Sequence, residues 1–190
     1  FRKEIASLLT GFFQFKLNDE TQFIAKIVVS MIPVAVVGVF FNDYVESLFT
    51  GNLLLVGAML LVTAFLLWLS SVIKHKESRP IGYIDAFLIG IAQAFAVLPG
   101  ISRSGATIAT GLMLGKKRPE VASFSFLMVL VPIIGANALD LIMKTSDEIV
   151  FDVLPIAVGF IAAFVVGYLA CSWMVNLIKK GKLIWFALYC

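Results

Sequence analysis

Leu98-Pro99-Gly100-Ile101-Ser102-Arg103-Ser104-Gly105-Ala106-Thr107 places an arginine, two serines and a threonine in a chain that is otherwise 61% hydrophobic and only 14% charged. The nearest formal charges in sequence are Asp85 before it and Lys116 after it. An isolated charge in such surroundings costs free energy, so its position in the fold decides what the chain is. A soluble domain carries about 45–50% apolar and about 25% charged residues; these 190 residues therefore read as an integral membrane protein. At about 20 residues per span, the length allows roughly five or six passes in a single membrane domain, residues 1–190. Continuous apolar runs and abundant Phe favour helices over the alternating pattern of a barrel. The expected fold class is an all-α polytopic membrane protein. The net charge of +3 is modest, and nothing in it points to nucleic acid.

Working outward from the stretch, residues 83–97 form an apolar run that leads into it, and residues 106–115 form another that leads out. Before them lies the loop Lys74-His75-Lys76-Glu77-Ser78-Arg79-Pro80; after them the chain emerges at Lys116-Lys117-Arg118-Pro119-Glu120, with Pro119 suited to the first turn of the next helix. Full spans are expected at residues 23–41 (with Pro33 inside), 52–73, 121–143 (kinked near Pro132) and 154–177. Residues 1–22 read as an interfacial helix and loop, and the last run, residues 183–190, is too short to cross a bilayer. Cys171 and Cys190 lie in apolar segments and read as reduced packing residues; His75 has no partner at metal-ligand spacing and reads as a surface residue.

Basic residues sort the loops. Taken in order, the exposed segments hold Arg2, Lys3 and Lys16; none; Lys74, Lys76 and Arg79; Lys116, Lys117 and Arg118; Lys144 alone; then Lys179, Lys180 and Lys182. Basic and non-basic loops alternate as the positive-inside rule requires, except that the 74–80 and 116–118 loops are neighbours and both basic. They share a side only if residues 83–115 enter the membrane and return. The outgoing leg, residues 105–115, spans roughly 16 Å as a helix, half of the roughly 30 Å hydrocarbon core. Residues 83–115 are therefore expected to form a re-entrant helical hairpin whose tip, near the midplane, is the opening stretch.

Backbone at such a tip must be buried in protein or line a wet cavity. Arg103 there is either a structural arginine bonding the carbonyls of a neighbouring broken helix or part of an anion site. For the anion site, a helix starting at residues 105–107 offers its free N–H groups, and Ser102, Ser104 and Thr107 offer hydroxyl donors. Arg103 offers a planar fork suited to phosphate oxygens, while Gly100 and Gly105 permit the turn and a ligand's close approach. Such a nest suits a lipid phosphate or a transported anion. Gln93 on the incoming leg is either a packing hydrogen bond or part of the site. Gly111, Gly115 and Thr107 form a small-residue packing stripe; Ser123 and Ser125 read as packing hydroxyls, and Asn137 and Asp140 as interfacial.

Pro99-Gly100-Ile101-Ser102-Arg103-Ser104-Gly105-Ala106-Thr107 resembles the PGxSRSxxT motif of the undecaprenyl-diphosphate phosphatase (bacitracin-resistance protein) family. Ala92-Gln93-Ala94, Phe124-Ser125-Phe126-Leu127 and Gly135-Ala136-Asn137-Ala138-Leu139-Asp140 agree as well. The resemblance implies hydrolysis of a C55 isoprenoid diphosphate, which recycles the lipid carrier for cell-wall synthesis in the bacterial inner (plasma) membrane. Arg103, Ser102 and Ser104 would then act in catalysis, and Gly100, Gly105, Thr107 and Gln93 in substrate binding. It also implies an inverted-repeat architecture of which this chain is the second half. The family's other signature, (E/Q)xxxE followed by hydroxyl residues and a histidine, does not occur here; the resemblance places it, with the ligands of a divalent cation such as Mg²⁺, before Phe1. The piece alone is accordingly expected to be inactive. Gln93 resembles the second-repeat counterpart of that signature, with Val97 where its second carboxylate would stand, and the family often carries a glutamate near Ser123. A lipid-phosphate or anion transporter using the same site is the alternative.

Overall fold

A computed structural model describes residues 19–41, 44, 47–48, 53–73, 79–143, 153–180 and 184–190. The interfacial opening, His75 and the loop around Lys144 lie outside the described residues, as does the side chain of Asp140. The described chain is helical: α1 (Asp19–Phe40), α2 (Leu53–Val72), α3 (Tyr83–Phe95), α4 (Arg103–Met113), α5 (Arg118–Met143), α6 (Val153–Lys179) and α7 (Ile184–Tyr189). Four of these, α1, α2, α5 and α6, are long and apolar enough to cross a membrane. They coincide closely with the four expected spans, because uninterrupted apolar runs of about 20 residues can satisfy their backbone in lipid only as helices. Helices α1 and α5 continue through Pro33 and Pro132.

Between the spans, α3 and α4 are too short to cross. At 13 and 11 residues they measure about 20 and 16 Å, and they pack against each other as a hairpin. The base of the hairpin is stitched shut. A single parallel bridge pairs Arg79 with Lys116, so the chain leaves beside the point where it came in. Lys116 Nζ forms an ion pair with Asp85 Oδ2 at 2.7 Å and donates to the Pro80 carbonyl at 3.3 Å. Asp85 Oδ2 also accepts the Gly82 N–H at 2.7 Å, capping α3, and Glu120 Oε1 accepts the Ile81 N–H at 2.8 Å. At the end of α4, Gly115 takes φ +74°; its N–H bonds the Leu112 carbonyl and the Lys116 N–H bonds that of Gly111, the paired bonds of a Schellman-type stop.

The core forms around this hairpin. Ile81, Ala86 and Ile89 from its incoming leg and Ile108 from its outgoing leg join Ile27, Leu67, Val121, Phe124, Leu127, Met128 and Ile178, and Phe23 meets Phe124 edge-on at 5.6 Å. Two glycines let helices approach closely, Gly90 against backbone and Gly111 against a side chain. A Cβ on Gly90 would lie 2.3 Å from the Ser30 carbonyl oxygen of α1, and one on Gly111 would lie 2.7 Å from Val121 Cγ1 of α5. Helix α6 packs on α5 and exposes most of its apolar surface, including Phe160, Phe164, Tyr168 and Trp173.

Candidate active site

The tip is built in three steps. Helix α3 stops at Phe95 and unwinds through the Val97 N–H on the Ala94 carbonyl and the Leu98 N–H on the Phe95 carbonyl. Leu98-Pro99-Gly100-Ile101 then closes a β-turn, with the Ile101 N–H on the Leu98 carbonyl at 3.2 Å. Pro99 presets the second position, and Gly100 at φ +92° supplies the positive φ that the third requires in a type II turn. Space gives a second reason for glycine: a Cβ there would sit 2.5 Å from the Val56 carbonyl oxygen of α2. Finally Ser102, in extended conformation, caps α4 by accepting the Gly105 N–H on Oγ at 3.1 Å.

Thr63 fixes the depth of this assembly. Its Oγ1 accepts the Ser102 N–H at 3.2 Å and donates to the Met59 carbonyl at 3.1 Å. Thr63 is buried at the middle of α2, so Ser102 lies near mid-span, while Gly100 reaches one to two turns further toward the Leu53 end. In the sequence Thr63 carries one signal, a hydroxyl inside an apolar run; its role as the anchor of the tip follows from the contact with Ser102.

Because Ser102 is the cap, α4 starts at Arg103, two residues earlier than the 105–107 start expected from sequence. The first and second helical amides belong to Arg103 and Ser104, and they have no carbonyl inside the helix to bond. Their N–H groups and the positive end of the helix lie next to the Arg103 side chain, which is exposed. Among the described residues no carboxylate pairs with its guanidinium. The Ser102 Oγ lone pair is taken by the cap, but its hydroxyl hydrogen is not. Thr107 differs from its expected role. It is fully buried, and its hydroxyl donates to the Arg103 and Ser104 carbonyls at 3.0 and 3.2 Å; that hydrogen is used inside the helix and is not offered to an anion. Gln93 is also buried, and its Oε1 has no hydrogen-bond partner among the described residues. Ser125 Oγ is in the same condition on α5.

Ser102, Arg103 and Ser104 thus share one helix start, with Gly100 and Gly105 shaping the backbone around them. A Cβ on Gly105 would lie 3.0 Å from Ser102 Oγ. Thr107 stands behind this group and Gln93 stands on the other leg.

A family model described as bacitracin resistance protein BacA matches residues 1–190. The chain belongs to the BacA family. It is 54% identical to the undecaprenyl-diphosphatase of Bacteroides thetaiotaomicron, over 99% of this chain and 72% of that protein. It is 50% identical to the undecaprenyl-diphosphatase of Christiangramia forsetii, over 100% of this chain and 72% of that protein. The undecaprenyl-diphosphatase of Methanococcus vannielii is 40% identical over 100% of this chain and 74% of its own length.

In this BacA-family chain the donor set at the tip is an anion's. A guanidinium, backbone amides and serine hydroxyls present hydrogens and positive charge, whereas a divalent cation needs oxygen ligands with negative charge. Among the described residues no group of three His, Cys, Asp or Glu side chains converges, so these residues do not fit a divalent-cation site. Asp85 and Glu120 are at the base of the hairpin, about 16 Å along α4 from Arg103, and hold the latch.

Proposed function

We propose that this protein hydrolyses undecaprenyl diphosphate to undecaprenyl phosphate and inorganic phosphate, recycling a cell-wall lipid carrier in the bacterial inner membrane, and that the α3–α4 tip is its phosphate-holding part. One observation carries the site assignment: the exposed Arg103 side chain and two amides that have no carbonyl inside the helix share one helix start, which Thr63 anchors to mid-span. A lipid with its chain in the bilayer could bring its headgroup to that depth, and the membership in the BacA family supports the activity.

In this proposal Arg103 clamps the diphosphate with its planar fork. It meets negative charge as the bond between the two phosphorus centres' bridging oxygen and the terminal phosphorus breaks. The amides of Arg103 and Ser104 bind a non-bridging oxygen without having to reorient. Ser102 and Ser104 donate their hydroxyl hydrogens. Attack by either serine oxygen needs a base to take its proton, and the described tip residues include none. This hairpin therefore supplies binding and charge stabilisation, while proton transfer belongs to groups beyond the tip. A divalent cation, Mg²⁺ in this proposal, would likewise be held by carboxylates beyond it. Gln93 is buried on α3, and its unpartnered Oε1 would accept from a donor that settles against that helix.

The test is phosphate release from undecaprenyl diphosphate by the intact protein in detergent. Arg103→Ala is expected to lower kcat by about 10³-fold or more, the loss typical of a charge-stabilising arginine, with an unchanged helical spectrum. Arg103→Lys, which keeps charge but loses the fork, is expected to fall between. Wild-type turnover in Arg103→Ala would end the assignment.

A further inference from the structure

Helix α6 is apolar enough to span the membrane. It packs on α5 and sets Trp173 against Phe186 of α7 at 6.2 Å, yet from Leu154 to Trp173 every residue except Gly167 is exposed. An apolar face alone asks for nothing, since lipid tails cover it as well as protein does. Two hydroxyls on this face do ask for a partner. Tyr168 is 66% exposed, Ser172 is exposed, and among the described residues neither side chain makes a hydrogen bond. Ser172 does not fall back on a carbonyl of its own helix, as Ser70 and Ser71 of α2 do. The span runs from Leu154 to Ile178, so its middle is Val166. Tyr168 then stands roughly 3 Å from the midplane and Ser172 roughly 9 Å, against about 15 Å for half the hydrocarbon core. Helical side chains lean toward the N-terminus, which turns the Tyr168 O–H back toward the middle of the bilayer. A tyrosine is too short to bridge the remaining distance to water.

We infer that this face of α6 packs against α6 of a second copy of the protein, and that Tyr168 and Ser172 hydrogen-bond across the pair. Ile161, Val165, Tyr168 and Ser172 recur at intervals of four, three and four residues. That spacing makes one stripe of a helix, of the kind that meets a neighbour at the shallow crossing of membrane bundles. Three properties of the stripe select a second copy as its partner. A phenol and a hydroxyl each donate and accept, so the stripe complements itself, as a two-fold interface requires. Residues 154–178 carry no charge, so two copies do not repel each other inside the membrane. Depth is the third property. A two-fold axis along the membrane normal sets each residue of one copy at the depth of the same residue in the other, which brings hydroxyl to hydroxyl where lipid offers no acceptor. An unrelated helix would need polar groups at those depths by coincidence. The inference does not depend on the activity proposed above.

The experiment uses the intact, purified protein in liposomes and has two arms. In the first, Cys171→Ala and Cys190→Ala clear the background of thiols. Val165→Cys then places a thiol on the stripe, and Ala170→Cys places one well round the same helix. Oxidation is expected to cross-link Val165→Cys between copies about 10-fold faster than Ala170→Cys, because thiols join only where two backbones come within about 7 Å. In the second arm, energy transfer between donor- and acceptor-labelled copies is read as lipid is added, which gives a dissociation constant. Tyr168→Phe and Ser172→Ala together are expected to raise that constant by about 10-fold, the scale of the interhelical hydrogen bonds lost, with an unchanged helical spectrum. Equal cross-linking at the two positions, or monomers at every lipid ratio, would overturn the inference and leave the face to lipid or to another part of the same protein. So would wild-type association in the double variant, which would show that the hydroxyls do not pair across copies. The cross-linking arm reads the interface with Tyr168 and Ser172 intact, so it stands even where the double variant fails to fold.

Discussion

Lys116→Met tests whether the base of the hairpin is held by charge. Lys116 and Asp85 side chains are 8% and 21% exposed, and their charged atoms are 2.7 Å apart. Removing one member of a buried pair costs about 3–5 kcal/mol, because the other is left uncompensated. Here Asp85 is one-fifth exposed and keeps the Gly82 N–H, which lowers the expected cost to about 2–3 kcal/mol. Asp85→Asn should cost a similar amount: the amide oxygen still caps α3, but the buried ammonium loses its counter-charge. In the double variant no charge is stranded, so the cost should be about 1–2 kcal/mol, well below the sum of the single losses. The assay is equilibrium unfolding of the detergent-solubilised protein by SDS, followed by circular dichroism, with the four proteins forming a double-mutant cycle. A coupling energy of about 2–5 kcal/mol is expected, the sum of the single losses less that of the double variant. A value below about 0.5 kcal/mol, as for an exposed pair, would refute the claim that this ion pair holds the hairpin shut.

Two further substitutions separate the tip's anchor from its chemistry. Thr63→Val keeps the shape but leaves the Ser102 N–H without its acceptor, a loss of about 1–3 kcal/mol. Phosphate release should fall by about 10-fold or more in the valine variant and recover in Thr63→Ser; equal activity in valine and wild type would show that Thr63 does not set the position of the tip. Thr107→Val removes a hydroxyl whose hydrogen is used inside α4, so kcat should stay within about 10-fold of wild type. A drop of 10² or more would show that Thr107 turns its hydroxyl outward to the substrate.

Much of this molecule was legible in the residues alone. Composition and unbroken apolar runs determined an all-helical membrane fold, because lipid offers a spanning backbone no other way to satisfy its hydrogen bonds at these lengths. The two adjacent basic loops determined that residues 83–115 turn back, and Pro99-Gly100 marked the turn. Arg103, Ser102 and Ser104 stood out because charge and hydroxyls inside oil demand a purpose, and the same residues carried the resemblance to the BacA family. What tertiary structure alone decided depends on contacts between distant segments. Thr63 as the anchor of Ser102 is set by the packing of α2 against the hairpin. The Lys116–Asp85 pair and the Glu120–Ile81 bond join the hairpin's entry to its exit, residues far apart in sequence, and no periodicity announces them. The start of α4 at Arg103 depended on which hydroxyl became the cap: Ser102, by extending its backbone and accepting the Gly105 N–H, left the Arg103 and Ser104 amides without a carbonyl inside the helix. Thr107 shows the limit of the sequence most plainly. A hydroxyl in a motif reads as a donor to a ligand, but one turn into a helix this one donates to the carbonyls three and four residues back, a choice that only the folded structure decides.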